Sequence, residues 1–317
     1  MAYSPFYITP EELAVYQEAQ EQEILAGDNV RTWHKYDVEE PFRYYFKLFA
    51  FPFVIAPFLL TLFIHTSDTV GVTIFSFILS VMVSGAFYLT IGLDYRYDYI
   101  FSSKGFVIKK RRNMPKWVNT ATQAVGWIGA VVCVVMVALV GPMALAGAGA
   151  FILLSFGMLK RQPDEPTEVR VGEREDWLFA DYNKKRKVIQ FYFKQDKCEY
   201  IDMEHNTIVR SHSRSDCYVF FKTETDLESM VNQLATEYKL DCTEVDDHKK
   251  LFESKPEARL FNIPVRNREH KTDEVLDLRA SNAPLPEREY LYNGKWQTES
   301  EIERLKAASE QQTTPAS

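Results

Sequence analysis

Asp, Glu, Lys and Arg are missing from three long stretches, Leu48–His65, Thr69–Leu93 and Trp117–Leu159. These make up about a quarter of the chain, more charge-free length than an ordinary soluble core requires. The rest of the 317 residues carries all 37 Lys and Arg and all 44 Asp and Glu, for a net charge of -7. Cysteine is scarce: Cys133, Cys198, Cys217 and Cys242. That excludes a disulfide-stapled secreted scaffold, and free thiols are expected. The chain also lacks G-x-x-x-x-G-K-[ST], H-E-x-x-H, G-x-S-x-G and C-x-x-C. No phosphate loop, zinc-protease helix, hydrolase elbow or dithiol redox site is therefore readable, so no enzyme and no cofactor are expected. The uncharged stretches contain no Asp, Glu, Lys or Arg, and His65 sits at the end of the first, which argues against an ion- or proton-driven transporter. The first 40 residues are acidic and contain no apolar run, so no signal peptide is expected.

The uncharged stretches read as membrane helices, since about 20 residues at about 1.5 Å each cross a hydrocarbon core. Leu48–His65, kinked at Pro52 and Pro57, and Thr69–Leu93 form a first hairpin. Trp117–Leu159 is long enough for two crossings, broken at Gly141-Pro142; one crossing plus a re-entrant segment is the alternative. The loop between the hairpins holds Arg96, Lys104, Lys109, Lys110, Arg111, Arg112 and Lys116, while the opposite connections hold no Lys or Arg. The positive-inside bias then puts both termini in the cytoplasm of a multi-pass protein, with a bacterial inner membrane expected.

The expected fold class is therefore a membrane α-helical protein of four transmembrane helices in two hairpins, with a cytoplasmic α+β domain. The divisions are 1–47, an N-terminal segment with an amphipathic helix; 48–93, the first transmembrane hairpin; 94–116, a basic β-hairpin loop; 117–159, the second transmembrane hairpin; 160–240, a β-rich domain; and 241–317, a largely disordered polar tail. Thr9-Pro-Glu-Glu12 is a capping box that opens a helix stopping near Ala26-Gly27. Tyr95–Phe101 alternates aromatic and polar residues, Ser102–Gly105 turns, and Phe106–Lys110 continues as the second strand of a hairpin. Short strands are expected at 177–182, 188–194, 198–203, 207–211 and 217–223. The capped helix at Thr225-Asp-Leu-Glu228 follows, with Leu227, Met230, Val231, Leu234 and Tyr238 in one apolar stripe. With the 95–110 hairpin the antiparallel sheet has five to seven strands closed by that helix. This element order resembles the pleckstrin-homology-like domains of some bacterial membrane proteins, over about 85 residues. The resemblance implies a fold and no ligand.

Four clusters stand out. Lys109, Lys110, Arg111 and Arg112 form a basic run beside the expected membrane, suited to anionic lipid headgroups or to topology alone. Ser76, Ser80, Ser84 and Gly92 recur every four residues, Tyr88 filling the gap, and would let helices pack closely within the chain or in a homo-oligomer. Cys198, His205, His212 and Cys217 are separated by six, six and four residues, too far apart for a usual zinc site, so no metal is expected. Gly141–Gly149 reads as helix packing. The acidic net charge argues against nucleic acid. The expected function is a membrane-anchored structural or interaction component that docks unknown protein partners through its cytoplasmic parts. A channel or transporter subunit is the alternative.

Overall fold

The computed structural model describes residues 4–42, 93–115, 167–253 and 257–313, with isolated positions in 48–88 and 117–131. The chain divides into two units: residues 1–41, 97–109 and 169–317, and residues 42–96 and 110–168.

In the first unit, α1 (Pro10–Leu25) starts at a closed capping box. Thr9 Oγ1 accepts from Glu12 N at 3.3 Å, and Glu12 Oε2 accepts from Thr9 N at 2.9 Å. β1 (Arg31–Asp37) follows, then β2 (Tyr95–Ser102), β3 (Gly105–Arg112) and β4 (Glu168–Glu173), forming a four-stranded sheet in that order. A second sheet has the order β8-β5-β6-β7-β9. Its members are β5 (Trp177–Asn183), β6 (Val188–Tyr200), β7 (Thr207–Phe220), β8 (Cys242–Glu244) and β9 (Arg266–Lys271). α2 (Glu224–Thr236) lies between β7 and β8, and α3 (Val275–Ala280) follows β9. A separate hairpin, β10 (Glu289–Tyr292) and β11 (Lys295–Thr298), leads into α4 (Glu299–Thr313).

The core is aromatic and drawn from both larger sheets. Phe106 of β3, fully buried, meets Phe191 and Phe193 of β6 edge-on at 5.1 Å each and stacks on Trp177 at 6.0 Å. Tyr97, Phe101, Val219, Phe220 and the α2 stripe Leu227, Met230, Leu234 complete it. Burial of this much aromatic area is the main stabilising term. Two glycines permit the close approach: a Cβ on Gly172 would sit 2.6 Å from Phe106 Cζ, and one on Gly105 would sit 2.5 Å from the Gly172 carbonyl oxygen.

Several expectations are corrected. Among the described residues no helix is long and apolar enough to cross a membrane, so the fold is α+β with three sheets and the four transmembrane helices do not stand. Most of the two expected hairpins, 48–93 and 117–159, lies outside the described residues; described side chains there include exposed Phe51, Ile74, Trp117 and Trp127. The 95–110 hairpin forms β2 and β3 but joins β1 and β4 rather than the later strands; it meets them face to face. The two strands expected at 188–194 and 198–203 are one, as are those at 207–211 and 217–223, because the β6–β7 register runs unbroken from Val188↔Phe220 to Tyr200↔Ile208. The segment 241–317 is not a disordered tail. β8 pairs parallel with β5 and β9 antiparallel with β7, which supplies the partners that this polar sequence cannot supply locally. Two sheets and these additions replace the single helix-closed sheet of the pleckstrin-homology-like order.

Candidate functional site

β1 carries Arg31-Thr-Trp-His-Lys-Tyr-Asp37, exposed at Arg31 and Thr32 and buried at Asp37, at an outer edge of the four-stranded sheet. Trp33 turns inward and is only half-buried. Its ring stacks on Tyr99 at 5.0 Å, Phe221 at 5.4 Å and Phe101 at 5.5 Å, all within 28° of parallel. Its Nε1–H donates to the Phe220 carbonyl at 3.1 Å. Tyr99 Oη in turn donates to the Tyr218 carbonyl at 3.0 Å and accepts from Phe220 N at 3.2 Å, and burial pushes its phenol well above the usual value.

α2 begins at Thr223, whose Oγ1 accepts from Asp226 N at 3.1 Å while Asp226 Oδ2 accepts from Thr223 N at 3.3 Å. Its stripe goes into the core, and Ser229 stays on the outer face. Between β1 and α2 lies a groove of about 250 Å³. Its floor is Trp33, Phe221 and Met230; its walls are Arg31 and Thr32 on one side and Lys222, Asp226 and Ser229 on the other. Arg31 Nη1 reaches Ser229 Oγ at 3.4 Å. The groove thus combines a rigid aromatic floor with charged and hydroxyl-bearing walls.

The residues singled out in the sequence lie elsewhere. Lys109–Arg112 is the C-terminal half of β3. Lys109 Nζ is 2.6 Å from Glu21 Oε1 of α1; Lys110 Nζ is 3.9 Å from Glu168 Oε2 and 4.9 Å from the Tyr95 ring centre. Ser80 and Ser84 are buried, and Ser76 and Gly92 lie outside the described residues. Cys198 stands opposite Arg210 and Cys217 opposite Phe191, far apart on the ladder, and His205 stacks on Tyr200 in the turn at 4.1 Å. Among the described residues no group of three His, Cys, Asp or Glu could hold a metal. Cys198, Cys217 and Cys242 are free; Cys133 lies outside the described residues.

What the ladder does assemble is a clasp on the N-terminal segment. Arg210, fully buried, donates to the carbonyls of Pro5 at 3.0 Å and Phe6 at 3.0 Å and to Ser4 Oγ at 2.9 Å. Asp196 Oδ2 accepts from Ser4 N at 2.6 Å and lies 3.4 Å from Arg210 Nη2. The segment 31–37, with only Trp33 and Tyr36 apolar and three residues apart, carried no strand signal and was read only as part of a helix-bearing N-terminus.

The family model described as TsiV2 immunity protein matches residues 16–256. The chain belongs to that family. The match includes β1, β7, α2 and hence every wall of the groove; β9, the β10–β11 hairpin and α4 lie outside it. The "Immunity protein TsiV2" of Vibrio cholerae serotype O1 (strain ATCC 39315 / El Tor Inaba N16961) is 36% identical over 70 residues, 22% of this chain. The chain spans 29% of the length of that curated relative. No solved structure matches. Immunity proteins bind and neutralise a toxin and are not enzymes. The family overturns the expected membrane-anchored docking component and its channel-subunit alternative. The multi-pass inner-membrane placement falls with the four spans, since no described helix is long and apolar enough to cross. A protein partner is retained.

Proposed function

We propose that this chain neutralises its toxin by direct binding, and that the groove between β1 and α2 is the contact surface. The observation that carries this reading is Trp33. It is half-exposed, yet fixed by three stacked rings and by its bond to the Phe220 carbonyl. A large aromatic already locked in position loses little entropy on binding, which is the character of an interface hot spot. Charged residues rim it, as in ordinary protein–protein contacts.

The test uses the purified full chain and the purified toxin. Calorimetric titration is expected to show a complex. Ser229→Trp, which fills the groove from an exposed position, is expected to abolish both the complex and the protection of toxin-producing cells. Met203→Ser, at the fully exposed tip of the β6–β7 hairpin, is expected to keep both. Protection without a complex, or unchanged binding by Ser229→Trp, would overturn the reading.

A further inference from the structure

We infer that the part of the toxin seated in the groove is an extended, acidic segment that adds to β1 as a further strand, its carboxylate between Arg31 and Lys222. The inference rests on the toxin-binding reading above. β1 ends the order of the four-stranded sheet, and among the described residues no other strand pairs with its outer side. An edge strand offers a row of backbone donors and acceptors, and an added strand uses them for affinity while side-chain pockets give specificity.

The charges decide which segment fits. The chain is acidic overall, with 44 Asp and Glu against 37 Lys and Arg. Yet among the described residues neither cation on the groove walls is in an ion pair: Arg31 bonds Ser229 at 3.4 Å, and Lys222 is exposed. The one acid on the wall, Asp226, is turned back onto Thr223 N as part of the helix cap. The groove therefore presents two cations against the single carboxylate of Asp226, above an aromatic floor. A carboxylate-bearing strand satisfies both, and its alternate apolar side chain rests on Trp33 and Met230. A basic segment meets like charge at both walls, which is unfavourable.

The experiment measures binding of the purified toxin, and of peptides tiling its sequence, to the wild-type full chain, to R31E/K222E and to R31K/K222R. Both substituted positions are exposed, so the fold is retained, which a thermal melt checks. The expected result is that the captured peptides are acidic and that R31E/K222E binds toxin and peptide at least roughly tenfold more weakly, while R31K/K222R stays near wild type. Raising the salt concentration is expected to narrow the gap between wild type and R31E/K222E. If toxin binds wild type and R31E/K222E equally, or the captured peptides are basic, the inference is overturned and the toxin-binding reading stands. If toxin does not bind wild type at all, both fall together.

Discussion

The guanidinium of Arg186, in the turn between β5 and β6, holds the carboxylate of Asp37, the last residue of β1. Nη2 lies 2.6 Å from Oδ1 and Nη1 3.3 Å from Oδ2. Nη2 also donates to the carbonyls of Val38 at 3.1 Å and Glu40 at 3.3 Å. With the Trp33–Phe220 bond, this ties both the middle and the end of β1 to the five-stranded sheet. The pair is largely buried, at 12% and 3% side-chain exposure, so losing one partner strands a charge. Arg186→Ala is expected to cost about 3–5 kcal/mol, measured by urea unfolding. Asp37→Asn added to Arg186→Ala is expected to cost less than the sum of the two singles, since each removes the same contact.

How much of this was legible follows from range along the chain. The capping box at Thr9 was readable because residues within one turn decide it, and it forms with the bonds the pattern demands; the second box, expected at Thr225 and Glu228, forms two residues earlier, between Thr223 and Asp226. The Leu227–Met230–Leu234 stripe was readable for the same reason. The polar run Gln195-Asp-Lys197 looked like a break between two strands; in the fold it continues β6, because β7 pairs with it throughout and Asp196 is used by Ser4 and Arg210. β9, Arg-Asn-Arg-Glu-His-Lys, has no apolar alternation, and its strand state comes from β7 alone. The separation of β2–β3 from the β5–β7 sheet depends on β1 and β4, neither of which had been read as a strand. The groove joins residues about 190 positions apart, and no local pattern reports such a pairing.

Glycine at 172 is expected to be intolerant of even one added methyl. The Cβ of an alanine there would lie 2.6–2.7 Å from the Phe106 ring, which is walled in by Trp177, Phe191 and Phe193. Gly172→Ala should lower stability by about 1–3 kcal/mol. Phe106→Leu combined with it should recover part of that loss relative to the sum of the singles, because the clashing ring atoms are gone. Simple additivity in chemical denaturation would show that the cost lies elsewhere.

Asp176, at the turn before β5, is 5% exposed and its Oδ1 has no hydrogen-bond partner. Burial, with Glu173 adding repulsion, pushes its carboxyl up to about 8 from an ordinary 3.8. The folded protein therefore keeps this proton while the unfolded chain releases it. Stability from this group is present below about 3.8 and is lost as pH rises through about 8. Asp176→Asn mimics the protonated form. Its melting temperature should exceed that of wild type near pH 8, and the two should converge near pH 4. A constant difference across that range would remove Asp176 as the titrating group.

His212 has the opposite sign. Its Nε2 lies 3.0 Å from Arg210 Nη2, so it must accept that proton, which only a neutral ring can do. Burial pulls its value down from 6.5 to about 4; Asp196 at 3.6 Å opposes this, while Arg210 and Arg266 reinforce it. The folded state thus binds fewer protons than the unfolded chain between those values. Stability from this group is intact above about 6.5 and falls as pH drops toward about 4. Asp176 masks this in the wild type because its own contribution grows over the same acid range. The measurement therefore belongs in the Asp176→Asn background, with and without His212→Gln. Urea unfolding of Asp176→Asn should weaken steadily from pH 6.5 to pH 4, and adding His212→Gln should flatten that slope. Because Arg210 and Asp196 hold Ser4, Pro5 and Phe6, the same acid step should also expose the N-terminal segment to aminopeptidase. Equal slopes in the two proteins would mean that His212 does not titrate between those limits.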